Sequence, residues 1–304
     1  MAEARFAPGR SPIPLRGASH VESHDQSRLQ RRLNRDFNER RSGHVMAGMV
    51  LLLAVCGWIS GGEDGVLRAV REGMPSDERL PISPEVMRRR FGARLLHPHE
   101  MPALFAMLHD ICRRAHLARM PDVYFIAAPH TMNAYALGGP EASAITLTEG
   151  LLRGLTLSEI GGILAHEIAH IRNNDGWAMR WAAALHRAIA QASVVALMAL
   201  QTQRRGATPT DRPLAMLLAG ASAIGQLLCL ALSRIRELDA DALALELIGD
   251  AEALVAALHK LERHHTGAPV RSAATPESSL LGFLRSHPET WQRVSTLLSL
   301  THRQ

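Results

Sequence analysis

Three long apolar stretches divide the 304-residue chain. Residues 45–60, extended by glycines to 43–62, carry only His44 as a strongly polar side chain. That is close to the ~20 residues needed to cross a hydrocarbon core. Residues 214–233 are interrupted chiefly by Gln226, and residues 182–200 by His186, Arg187 and Gln191. The polar loop 201–212 separates these last two stretches. A helix that is apolar all round belongs either to a membrane or to a buried core, and the pattern is read here as membrane spans. Elsewhere the periodicity is that of a folded domain. Residues 143–148 read as a short strand, with Gly150 marking its end. Ile160, Ile163, Leu164, Ile168 and Ile171 cover much of a helical circumference and predict a buried helix. Thr156 or Ser158 is its N-cap candidate, and Glu159 stands in capping-box spacing from Thr156. A further helical run opens at Ser233 and continues through Ile248, with Gly249 as its stop.

The buried helix contains His166-Glu167-Ile168-Ala169-His170. Residues four apart lie on one helical face, so the two imidazoles can grip one metal ion, with the Glu167 carboxylate in reach of a water on it. An alanine-rich helix with two solvated histidines would show the same five letters. The buried setting argues against that, because buried charged groups need a partner or a metal. On the later run, Glu237 and Asp241 also share a face. The natural division puts Glu237 on the metal and Asp241 behind a ligand histidine, accepting its outer N–H. Two histidines and one carboxylate leave a fourth position open, the arrangement of a catalytic rather than a structural zinc site. Asp239 falls on a different face and reads as a solvated charge.

Other segments extend this pattern into a family resemblance. Arg90-Phe91-Gly92-Ala93-Arg94, Pro121–Ile126, Met132-Asn133-Ala134-Tyr135-Ala136-Leu137-Gly138, Thr148-Glu149-Gly150-Leu151-Leu152, His170–Asp175 and Ser286–Val294 occur in order around the motif. Together they resemble the HtpX family of membrane-associated zinc metallopeptidases, relatives of the CAAX prenyl proteases, from about Phe91 to Leu300. Tyr135 and Leu137 stand where the family's "NAFATG" segment has Phe and Thr. The resemblance implies an α+β fold, mainly helical: a zincin-like metallopeptidase domain with a small sheet and a hydrophobic helical hairpin insertion. It implies one zinc ion per chain on His166, His170 and Glu237, with Glu167 as general base. His287 and Arg293 match a downstream pair that would stabilise the oxyanion or orient substrate. Asn133 and the 143–148 strand would form the edge on which an extended substrate adds as a strand.

Charge and composition then set the boundaries. The formal charge of +5 comes mostly from the first 43 residues, where nine Arg face five acids. Residues 1–43 therefore read as a disordered basic tail held near anionic lipid. With only Phe6 and Phe37 as aromatics, this tail lacks the stacking platform of a nucleic-acid binder, so no nucleic acid is expected as partner. Residues 44–62 are expected as a transmembrane helix, 63–90 as a linker or amphipathic segment, and 91–304 as the metallopeptidase domain with its hairpin at about 182–233. The first apolar run starts too late for a cleavable signal peptide. Cys56, Cys112 and Cys229 are too few and too far apart for a disulfide framework.

The expected partners are protein or peptide substrates and the lipid bilayer, in a multi-pass protein of a bacterial inner membrane. Family members usually begin with two closely spaced spans, whereas residues 63–72 here are charged. A single span would put the active site opposite the Arg-rich tail, but Arg88-Arg89-Arg90 argues for the same side. The sequence leaves that side open, as it does the oligomeric state. The competing reading is a non-catalytic, membrane-anchored binding protein that uses zinc as a structural clip.

Overall fold

The computed structural model describes residues 18–75, 82–202, 211–267 and 293–297. In chain order the elements are α1 (Ala18–Gly73), α2 (Pro84–Phe91), β1 (Ala93–Leu95), α3 (Pro102–Arg114), β2 (Asp122–Ile126), β3 (Ala134–Gly138), β4 (Ser143–Thr148), α4 (Glu149–Gly154), α5 (Leu157–Arg172), α6 (Asp175–Thr202), α7 (Asp211–Ile248) and α8 (Ala251–Gly267). This is the expected α+β fold: mainly helical, with a small mixed sheet and an apolar hairpin.

Helix α1 begins at Ala18, so the second half of the segment read as a disordered tail is helical. Its sequence repeats Leu29, Leu33 and Phe37 at helical spacing among the arginines, a periodicity that composition averages away. Helix α1 is broken at Gly61 and Gly62. Gly62 has φ 60° and ψ −139°, a backbone conformation open to glycine. The chain reverses there, and residues 63–73 pack back against the preceding limb. The approach is so close that a Cβ at Gly65 would lie 2.1 Å from the Gly57 carbonyl oxygen.

Met49, Leu53 and Cys56 of α1 join Leu185 and Ile189 of α6 and Leu232 of α7 in one buried cluster. Phe37–Gly73, Asp175–Leu200 and Pro213–Ile248 are long and apolar enough to cross a membrane. Their outward faces carry large bare side chains, with Leu51 66%, Met216 76% and Leu227 65% exposed. Such a belt is stable against lipid tails and costly in water. Cys56, Cys112 and Cys229 are all buried free thiols.

The catalytic-domain core is a second cluster, in which Leu108 of α3, Ile145 and Leu147 of β4, Leu164 and Ile168 of α5 and Leu254 of α8 are fully buried. The strand order is β1-β2-β4-β3. β2 and β4 are parallel, while β1 and β3 run antiparallel to their neighbours. This corrects one expectation. The 143–148 strand is central and cannot accept a substrate strand; its nearly continuous burial is what both-sided pairing and packing require. The edges are β1 and β3, and β3 is the one that packs against α5.

Thr156 is the N-cap of α5. Its hydroxyl accepts from Glu159 N, and Glu159 Oε2 accepts from Thr156 N at 2.7 Å. Lys260 of α8 donates to the same Oε2 at 2.7 Å. Burial alone would raise the Glu159 pKa. Hydrogen bonds from Lys260 and Thr156 outweigh it and hold the pKa below the usual 4.5. Glu159→Ala is therefore expected to destabilise the fold by about 1 kcal/mol at pH 7. A group with a depressed folded-state pKa contributes above its unfolded pKa and loses that contribution as pH falls through the folded value. Melting curves of wild type and variant in detergent should accordingly converge as the pH falls progressively below 4.5. A gap independent of pH would show that the ionised carboxylate is not what matters.

Candidate metal centre

Helix α5 presents His166 and His170 one turn apart, and α7 crosses it carrying Glu237 and Asp241. The two Nε2 atoms are 3.0 Å apart. Glu237 places Oε2 3.5 Å from His166 Nε2 and Oε1 3.6 Å from His170 Nε2. Each Nδ1 faces a carboxylate, His166 to Asp241 Oδ1 at 3.0 Å and His170 to Asp175 Oδ2 at 2.8 Å. An Nδ1 beside a carboxylate oxygen donates, which fixes each neutral ring with its lone pair on Nε2. With both Nδ1 atoms committed to carboxylates, the 3.0 Å between the Nε2 atoms must be bridged by a proton or by a metal ion.

A tetrahedral ion with bonds of about 2.0–2.1 Å needs ligand atoms about 3.3 Å apart, which is the scale of this triangle. His166, His170 and Glu237 thus form a cluster that could hold a metal ion. His166 and Glu237 are buried and His170 is half-buried.

Charge points the same way. Glu167, Asp175, Glu237 and Asp241 outnumber the two guanidinium groups of Arg236 and Arg293. Burial and Arg293 push the His166 pKa down, but hydrogen bonds to Asp241 and Glu237 raise it to about 9. The surroundings therefore attract positive charge, and a dication competes with the proton for the same nitrogen.

Arg293 sits on the helical turn at 293–297 and is buried. Its Nε and Nη2 grip Asp241 at 2.7 and 2.6 Å, and its Nη1 lies 3.5 Å from Glu237 Oε2. Burial would lower its pKa, but the Asp241 carboxylate keeps it well above the usual value. Its Nε and Nη2 are thus engaged by Asp241, while Nη1 faces the candidate ligand Glu237. His287 lies outside the described residues.

Asn133 precedes the edge strand β3. Its amide Nδ2 donates to Tyr135 Oη and its Oδ1 accepts from Ala134 N, both at 2.9 Å, while its backbone N–H donates to Thr148 Oγ1 at 2.9 Å. Its side chain is taken up in fixing the start of β3. Asp239, read as a solvated charge, accepts from Asn38 Nδ2 of α1 at 2.5 Å.

Sequence reasoning passed over Asp175. It reaches His170 because Asn174, at φ 54°, turns the chain sharply between α5 and α6. The available signal was an acid just past the Asn173-Asn174 helix stop, five residues beyond a ligand candidate.

The sequence profile of peptidase family M48 matches residues 98–301. The chain belongs to peptidase family M48.

Its M48 relatives include a "Protease HtpX homolog" of Methylibium petroleiphilum, 31% identical over 284 residues, covering 87% of this chain and 98% of that one. A second, of Acaryochloris marina, is 36% identical over 234 residues, covering 72% and 78% respectively. The HtpX resemblance drawn from the motifs is borne out. Among solved structures, Ste24p of S. mikatae aligns with a TM-score of 0.44 at 19% identity, over 88% of this chain and 66% of that one.

The carboxylates behind the histidines yield a test. Asp175→Asn and Asp241→Asn are each expected to weaken zinc binding about 10–100-fold, measured by chelator competition on detergent-purified protein. Wild-type affinity in both variants would separate these carboxylates from the metal.

Proposed function

We propose that this M48 metalloprotease is a zinc-dependent endopeptidase that hydrolyses peptide bonds of membrane-associated or misfolded proteins. The observation that carries this reading is Glu167. It is buried and adjacent to His166, and its carboxylate feels the charge of the Arg293 guanidinium, with no hydrogen bond or close ion pair among the described residues. A carboxylate with no hydrogen-bond donor of its own can take a proton, which a structural zinc clip does not need.

A zinc ion on His166, His170 and Glu237 would supply Lewis-acid polarisation of the scissile carbonyl and bring the pKa of water down to about 7. The chain's own groups do the rest. Glu167 takes the proton from the attacking water and delivers it to the leaving amine. Asp175 and Asp241 hold both imidazoles in the ligating tautomer, and Arg293 holds Asp241. The free edge of β3, alongside α5, offers backbone groups to an extended substrate. This favours segments already unfolded, because only an exposed strand can pair there.

The chain's path bears on the side of the membrane. The Asn38–Asp239 hydrogen bond sets the start of the first span beside Glu237, and the reversal at Gly62 returns the chain toward the same end. Arg40, Arg41 and the 88–90 cluster then share the catalytic side, and positive-inside counting supports a cytoplasmic active site at a bacterial inner membrane. A cysteine replacing exposed Glu141 should react with an impermeant maleimide only after sealed cells are opened; labelling of intact cells would reverse the topology.

Glu167→Gln is expected to keep its zinc while casein cleavage drops at least about 100-fold. Unchanged cleavage would refute the general-base role. Equal zinc with no cleavage in the wild type either would favour the structural-clip reading.

A further inference from the structure

Outside the metal centre, a cleft of about 760 Å³ opens between α1, α7 and the turn at 293–297. Arg41, His44 and Arg234 supply its charge and polarity, and Val45, Ala231 and Ile235 its apolar wall. Arg41 and Arg234 are both exposed, and neither has a carboxylate partner among the described residues. Arg41 instead stands 5.6 Å from the Phe37 ring centroid. His44 Nδ1 donates to the Arg40 carbonyl at 2.6 Å, which leaves Nε2 available. Two unpaired guanidinium groups above an apolar wall fit an anion that carries a hydrocarbon tail.

The depth of the cleft says which anion. Cys229 Sγ of α7 lies 3.5 Å from the Ala182 carbonyl of α6, and this sets the register of the antiparallel pair. Five residues before Ala182 is Trp177, and five residues after Cys229 is Arg234, so the two stand at the same height. Trp177 is 47% exposed and packs against Trp181 with ring centroids 5.6 Å apart. Exposed tryptophan at the end of an apolar span marks the headgroup level of a bilayer. One turn before Arg234 on α7, the exposed apolar belt begins at Leu230. The arginines therefore sit at headgroup depth and the apolar wall at the depth of the first acyl carbons.

We infer that this cleft binds the phosphate of an anionic phospholipid between Arg41 and Arg234, with an acyl chain along Val45 and Ala231. The inference rests on the bundle spanning a membrane but not on peptidase activity. Occupancy also bears on the catalytic centre. Ile235 and Leu238 line the cleft on either side of Glu237, and Ser295 and Thr296 belong to the turn that carries Arg293. A lipid seated there braces α7 against that turn, and with it the Arg293–Asp241 pair behind His166.

The test uses the full chain reconstituted in nanodiscs of equal phosphatidylcholine and phosphatidylglycerol, then released for native mass spectrometry. Wild type is expected to retain one phosphatidylglycerol in preference to phosphatidylcholine. The Arg41→Gln/Arg234→Gln variant should retain about tenfold less, while co-floating with liposomes and keeping its zinc. Inorganic phosphate at millimolar concentration should not displace the lipid, since it lacks the tail. Equal retention by wild type and variant, or no preference for the anionic lipid, overturns the site. Displacement by inorganic phosphate would overturn the lipid in favour of a free-anion site. Failure of the wild type to co-float would instead refute the membrane-spanning reading.

Discussion

Everything in this protein is arranged around two imidazole nitrogens held 3.0 Å apart. That spacing demands a proton or a metal ion between them, and the fold commits several elements to maintaining it. Helix α5 fixes the spacing, α7 closes the third side with Glu237, and Asp175 and Asp241 prevent either ring from flipping its tautomer. The surplus of carboxylates only makes sense if a cation completes the set. Specific metal geometry and specific burial are here the same constraint, since removing the site from water is what gives each of these charges its strength.

The rest of the molecule divides into two cores with one shared part. The bundle core belongs to α1, α6 and α7, and the catalytic core to the sheet, α3, α5 and α8. Helix α7 contributes to both: Leu218 and Leu232 lie in the first, and Ala240, Leu243 and Leu247 in the second. The extra carboxylate behind His170 comes from the opening residue of α6, so the hairpin is rooted in the metal centre at both of its ends.

What was legible in the sequence was local. The spacing of His166 and His170, the Thr156–Glu159 capping box and the Glu237–Asp241 pair all follow from helical periodicity, and the structure has each as written. What escaped depended on distant partners or on a single backbone angle. The 143–148 segment reads as a strand in any register, but its central place follows from pairing with residues 122–126 and 134–138, which periodicity does not encode. Asp175 needed the left-handed turn at Asn174. The reversal at Gly61-Gly62 looked like the end of a span followed by a linker, because the charges at 63–72 hid the small residues that let the limbs touch. Glu167, by contrast, needs no distant partner to be located, since it is buried beside His166 on the same helix.

Helix α7 runs without interruption from Asp211 to Ile248. From Leu218, deep in the bundle, to Glu237 is about 28 Å along one stiff rod. A lever of that length turns a tilt of about 5° into a displacement of roughly 2.5 Å at its tip, against a positional tolerance for reactive groups of about 0.5 Å. The packing of α1 and α6 that sets the tilt of this helix therefore also sets where Glu237 stands against the two histidines.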